Sequence, residues 1–299
     1  MSVVRFVLDR DLGRRAYVTL IAGAVAVAAA TALVAFALPF AIGGTVQTLV
    51  LATGIAAMLT VGYQIFIGNT GIVSFGHPAF VAIGAYTSGI LSLPLDLKAI
   101  NLPNLPSFLA GIELGFFPAL LAGGAVAAAF ALAIGPIVLR LSGATAGIMT
   151  FGILVIVNEI LRNATPLTRG TQTFFGVPGH ASFPVVFGLL AAAILIAVAF
   201  KFSRAGLHAR AVREDALAAE TMGISVVMSR LWPWVLSAFV MGCAGALWGS
   251  FLTAFSPKSF YVELVIPMMT MAVLGGMQSV AGAVVGTVVI TAWGQLMRM

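Results

Sequence analysis

Apolar blocks long enough to cross a lipid bilayer follow one another along most of this chain, and that succession limits what it can fold into more than any other feature. A spanning segment needs about 20 mostly apolar residues. In hydrocarbon every backbone N–H and C=O must be satisfied without water, so such blocks become helices. The chain is 61% hydrophobic and 8% charged, and a soluble domain carries roughly three times that charged share. The expected fold is all-α: a polytopic membrane protein of about eight spans, or eight to ten with half-helices, in two glycine-interrupted halves.

The blocks can be placed in order. Residues 1–16 form a tail holding Arg5, Arg10, Arg14 and Arg15. The block Tyr17–Leu38 exceeds a signal-peptide core and is expected to remain as a span, so residues 17–299 are read as one transmembrane domain. After Pro39 a second block runs from Ile42 to Ile67, and the uncharged turn Gly68–Gly71 leads into a third from Ile72 to about Leu93. Within that third block Gly76, His77 and Pro78 interrupt a helix that would otherwise be continuous. Pro94–Phe117 and Leu167–Pro184 are turn-rich loops. The remaining blocks are Pro118–Leu139, Ala144–Leu161, Val185–Phe200, Leu231–Phe255 and Val262–Met297. The last is too long for one straight span and is expected to break near Gly275.

Basic residues set the orientation. With a cytoplasmic N-terminus, eight crossings put both the segment 201–230 and the C-terminus inside. Arg5, Arg10, Arg14, Arg15, Arg140, Lys201, Arg204, Arg210, Arg213, Arg230 and Arg298 then fall inside, and only Lys98, Arg162, Arg169 and Lys258 outside. The net charge of +6 and pI near 10.1 therefore reflect orientation in a bilayer and not nucleic-acid binding, because the cations gather at span ends and form no stripe.

Between Lys201 and Arg230 the chain turns water-loving, with Lys201, Arg204, Arg210, Arg213, Glu214, Asp215, Glu220 and Arg230 in one stretch. Its middle predicts a helix of about three turns from Arg213 to Met222, stopped by Gly223 in a left-handed cap. Such an Ala-faced helix, rimmed by Glu214, Asp215 and Glu220, fits a groove on another protein. A solvated loop helix accounts for the same residues.

The chemistry expected of an enzyme is missing. GxxxxGK[ST], HExxH and GxSxG do not occur, so no ATP-hydrolysing, metalloprotease or serine-hydrolase machinery resides on this chain. His77, His180 and His208 are scattered, which predicts no metal site, and the single Cys243 excludes an intramolecular disulfide. No cofactor is expected. His77, beside Pro78, either satisfies backbone freed by the break or lines a pathway, and Asn69, Ser74 and Tyr86 carry the same alternatives. Glu159, three residues before Arg162 near a span end, predicts an interfacial pair. The glycine-rich stretches Gly68–Gly84 and Gly275–Gly286 suit either two repeats meeting at a path or close helix packing.

The stretch GNTGIVSFGHPAFVAIGAYTSGIL resembles the glycine-rich segment of LivM-type permeases, the membrane subunits of ABC importers for branched-chain amino acids. REDALAAETMGISVVMSRLWPWVLSAFVMGCAGALWG is similar to that family's cytoplasmic loop and following span, and LTRGTQTFFGVP and MAVLGGMQSVAGAVVG fit as well. The resemblance implies a bacterial inner-membrane permease that pairs with a second, similar permease, two ABC ATPase subunits that bind ATP and Mg, and a soluble substrate-binding protein. It assigns residues 213–224 as the coupling helix, with Arg213, Glu214, Asp215, Ala219, Glu220 and Gly223 transmitting the ATPase motion. The broken helix and the glycine-rich stretches, read as a path, offer Asn69, Gly71, Ser74, Gly76, His77, Phe80, Tyr86, Gly275 and Gly276 as translocation-path residues. Branched-chain amino acids are the family's usual cargo, while urea, short amides and aromatic acids pass through similar permeases. An ion-coupled secondary transporter is the alternative class, and His77 is its one serious candidate for an ionisable group near mid-membrane.

Overall fold

The computed structural model of the chain describes residues 44–297. The tail 1–16, the block Tyr17–Leu38, the Pro39 break and Arg298 lie outside the described residues. The described chain is all-α apart from one two-residue strand pair, and it is a polytopic membrane protein. Its helices are α1 Gly44–Thr70, α2 His77–Ser92, α3 Leu95–Asn101, α4 Ser107–Ala110, α5 Phe116–Val138, α6 Gly143–Asn163 and α7 Thr165–Thr168. They continue with α8 Phe183–Phe202, α9 Arg204–Glu214, α10 Ala216–Thr221, α11 Val226–Leu252, α12 Val262–Gly275 and α13 Val280–Leu296. Among the described residues, six helical segments are long and apolar enough to cross a membrane: Val46–Thr70, α5, α6, α8, α11 and Pro257–Gly275. Helix α13 is apolar but shorter.

Helix α11 is the centre of the bundle, packed against α1, α2 and α5. Lipid offers no hydrophobic drive between spans, so close association needs small residues that let backbones touch. A Cβ on Gly84 of α2 would stand 2.0 Å from the Gly242 carbonyl oxygen of α11, and one on Gly245 would stand 2.0 Å from that of Val81. Buried side chains then bond across the spans. Ser237 Oγ donates to Gly62 O at 2.7 Å, and Trp234 Nε1 donates to Ala131 O at 3.1 Å. Arg230 Nη1 reaches Leu139 O and Leu141 O at the end of α5.

The break in the third block differs from the expected one. Residues 71–76 are non-helical, and α2 begins only at His77, with Pro78 in its first turn. A first-turn proline loses no intrahelical bond, so Pro78 starts this helix and does not interrupt it.

The last block does break after Gly275, where Gly276 adopts φ +93°. The chain then reverses. A Cβ on Gly282 would lie 1.9 Å from Gly275 O, and one on Gly286 2.1 Å from Met271 O, so α12 and α13 form an antiparallel hairpin. Thr60 of α1 meets both arms, accepting from Thr287 Oγ1 at 3.0 Å and donating to Met271 Sδ at 3.7 Å. The expectation that this block ends on the side of the charged segment is therefore corrected. Residues 294 and 295 lie beside Leu49 and Thr53 near the start of α1, whereas the charged segment lies at the far end of α1, beside Gly68.

At the end holding residue 297, β1 (Phe174–Phe175) pairs antiparallel with β2 (Ala254–Phe255). Lys98 is buried there and donates to the carbonyls of Leu109 and Ile112. Burial lowers its pKa, and the neighbouring Glu113 carboxylate opposes that shift.

Candidate functional site

The charged segment folds as two helices and not as the single one expected. Ser203 Oγ accepts from Gly206 N at 3.1 Å and starts α9. At Asp215 the backbone is extended, and its carboxylate accepts from Ala218 N at 3.0 Å to start α10. An aspartate that can cap a new helix competes with continuation of the old one, which is the physical reason for the split. Gly223, at φ +79°, closes α10 as anticipated. Its N–H bonds to Glu220 O at 2.9 Å, and Ile224 N–H bonds to Ala219 O at 3.0 Å, the two bonds of a Schellman cap. Ala219 is buried, while Leu217 and Met222 are 73% and 80% exposed beside the exposed Glu214, Asp215 and Glu220.

This arm is tied to the spans by cations that reach backbone carbonyls. Arg213 Nη1 donates to Gly68 O at 2.7 Å, while Nε and Nη2 of the same side chain hold Glu214 Oε1. Arg210 Nη2 donates to Lys201 O at 3.1 Å, and Lys201 Nζ donates to Gln278 O at 2.7 Å. Carbonyls in the last turn of a helix lack intrahelical partners, so a cation there bonds without displacing anything. The two glycine breaks meet at this point. A Cβ on Gly68 would stand 2.6 Å from Met277 O, so the first break abuts the α12–α13 turn directly beneath the arm.

The non-helical residues 71–76 run from Arg213 to the start of α6. Gly71 adopts φ +70°, and a Cβ there would lie 2.8 Å from Arg213 Cγ. Further along, Phe75 N–H donates to Thr150 Oγ1 at 3.1 Å. The segment borders a groove of about 710 Å³ between α6 and α12, lined by Gly71, Val73, Phe75, Gly143, Ala144, Gly147, Ile148, Phe151, Val262, Val265 and Ile266. That lining is apolar and has no ionisable side chain.

Of the residues suggested for a path, only Gly71 lines this groove. Asn69, Ser74, Gly76, His77, Phe80 and Tyr86 are buried and do not line it. Asn69 Nδ2 donates to Ile65 O at 2.8 Å, and Ser74 Oγ bonds His77 Nδ1 at 2.8 Å. The His77 ring is enclosed by Tyr63, Phe66, Phe80 and Trp234 at centroid distances of 5.0 to 5.6 Å. Tyr86 packs with Phe174, Phe255 and Phe260 at the opposite end of the bundle. Gly275 serves the hairpin contact, and Gly276 makes the exposed turn. Val73, Phe75, Ile148, Phe151, Val265 and Ile266 carried no signal in the sequence, because an apolar residue in an apolar block does not declare which way it faces. Beyond the groove, Arg162 and Glu159 pair at 3.5 Å as their spacing predicts.

The sequence family described as branched-chain amino acid transport system permease component matches residues 44–299. The chain is 28% identical to the high-affinity branched-chain amino acid transport system permease protein LivM of Salmonella typhimurium, over 89% of this chain and 66% of that protein. It is 29% identical to LivM of Escherichia coli, over 88% and 66% of the two chains. Identity to the LivH permease protein of Escherichia coli is 26%, over 78% and 79%. The chain thus spans just under two thirds of the length of the LivM relatives. No solved structure matches it.

Proposed function

We propose that this chain, which belongs to the permease-component family of branched-chain amino acid transport systems, forms half of a solute path through the membrane and is driven by ATPase subunits that are separate chains. The observation that carries the reading is the bond from Arg213 to Gly68 O. Through it an exposed arm grips the end of α1 immediately before the segment that borders the groove. Leu217 and Met222, framed by Glu214, Asp215 and Glu220, offer an apolar contact with an acidic rim to a cytoplasmic ATPase. Any displacement of the arm then reaches Gly71 and the groove through Arg213.

In this reading the arm faces the cytoplasm of a bacterial inner membrane. The groove between α6 and α12 faces a second, similar permease, and a soluble binding protein delivers cargo at the opposite end. An apolar groove suits an aliphatic side chain, and LivM and LivH are branched-chain amino acid permeases by name. Ion-coupled transport is less well supported, because His77 is enclosed by aromatic rings and does not line the groove.

The test is charge reversal on the arm. Glu214→Lys combined with Glu220→Lys should abolish uptake and solute-stimulated ATP hydrolysis in the reconstituted transporter, while the permease remains folded and in the membrane. Uptake at the normal rate would remove the arm from the coupling route.

A further inference from the structure

A polar pocket lies beyond the groove, between the same two walls. On α6 the groove face Ile148 and Phe151 extends, at helical spacing, to Asn158 and Arg162. On the other wall the run Val262, Val265 and Ile266 is preceded by Lys258 and Tyr261. These upper residues, with Thr171, line a separate pocket of about 430 Å³ at the end opposite the arm. Asn158 Nδ2 donates to Pro257 O at 3.1 Å and fixes the two walls together.

The charges of this pocket are balanced. Its lining holds the guanidinium of Arg162 and the ammonium of Lys258 and no carboxylate. Each cation has an acid partner outside the lining, Glu159 at 3.5 Å from Arg162 and Glu263 at 3.5 Å from Lys258. All four side chains are at least half exposed. Ion pairs this long and this exposed contribute little to stability, so their members can exchange partners at small cost.

We infer that this pocket is a way station for a zwitterionic α-amino acid with an apolar side chain. The solute carboxylate takes the fork of Arg162 with help from Lys258, an arrangement suited to two parallel charge-assisted bonds. Its ammonium group meets the carboxylate of Glu159 or Glu263 that the exchange releases. Its aliphatic side chain lies toward the apolar groove. An uncharged amide would separate the existing pairs and replace neither charge, and a simple anion would leave an acid unpaired. The inference rests on reading the groove as part of a solute path, and it selects zwitterions over urea and amides within that reading.

The test uses the full chain in lipid nanodiscs without its partners. Thr171→Cys places an exposed thiol in the pocket, and the native Cys243 is buried. The rate of maleimide labelling is measured against increasing L-leucine, isovaleramide and isovalerate. L-leucine should slow labelling at millimolar concentration, and the amide and the anion should do so far less. Adding Arg162→Gln or, independently, Lys258→Gln should raise the half-protecting leucine concentration about fivefold, the loss of one partly exposed charge-assisted bond. Absence of protection by leucine, equal protection by isovaleramide, or protection unchanged in both charge variants would each overturn the assignment. None of these results bears on ATP-driven uptake, which the arm variants test separately.

Discussion

Replacing Arg213 by methionine isolates the link on which the proposed coupling depends. Methionine keeps an unbranched stem against Gly71 and removes the guanidinium that holds Gly68 O at 2.7 Å. A hydrogen bond from a charged donor is worth about 1.5–3 kcal/mol. The Arg213 side chain is 17% exposed, and water can replace part of what is lost, so we take about 1–2 kcal/mol. That corresponds to a roughly five- to thirtyfold shift between tied and released arm. The exposed surface of α10 is untouched, so the ATPase should still bind and turn over. The expected result in proteoliposomes of the assembled transporter is ATP hydrolysis within about twofold of normal, with solute moved per ATP lowered about fivefold or more. Glu214→Gln is the control, because it removes the neighbouring ion pair and leaves the Gly68 bond. An Arg213→Met transporter that moves solute with unchanged stoichiometry would refute the idea that this bond transmits motion.

Two further outcomes follow from the packing and the chain direction. Gly245→Ala puts a methyl group 2.0 Å from Val81 O, a backbone atom that cannot move without shifting α2 against α11. It should destabilise the permease by about 2 kcal/mol and lower Tm in detergent by about 5 °C, and an unchanged melting curve would contradict the close crossing. The hairpin of α12 and α13 predicts that cysteines introduced at Ala218 and at Leu296 are labelled by impermeant reagents from opposite faces of the membrane. Labelling of both from the same face would exclude the antiparallel arrangement.

Much of this architecture was legible before any coordinates. Long apolar blocks dictate helices wherever water is absent, so the all-α membrane fold follows from composition and block length. Local chemistry was equally readable. Gly223 ends its helix because its left-handed conformation costs a glycine little, the Gly275 break lies where the glycines cluster, and Glu159 finds Arg162 three residues on. The errors arose where two local rules competed. Asp215 satisfies helix propensity poorly and capping well, and capping prevailed. Pro78 could either break a helix or begin one, and its missing N–H costs nothing in a first turn, so it begins α2.

What the sequence alone determined is thus the class of fold, most spans and the presence of one charged arm, since hydropathy and capping act over a few residues and are readable in one dimension. The direction of α13, the enclosure of His77 by four aromatic rings, the walls of the groove and the meeting of the arm with Gly68 were decided only in three dimensions. Each depends on which small residues let two helices approach, and that choice is made between segments up to about 200 residues apart, as between Gly68 and Met277. In a chain where nearly every span residue is apolar, hydrophobicity cannot distinguish facing a neighbour from facing lipid, and shape makes the distinction instead.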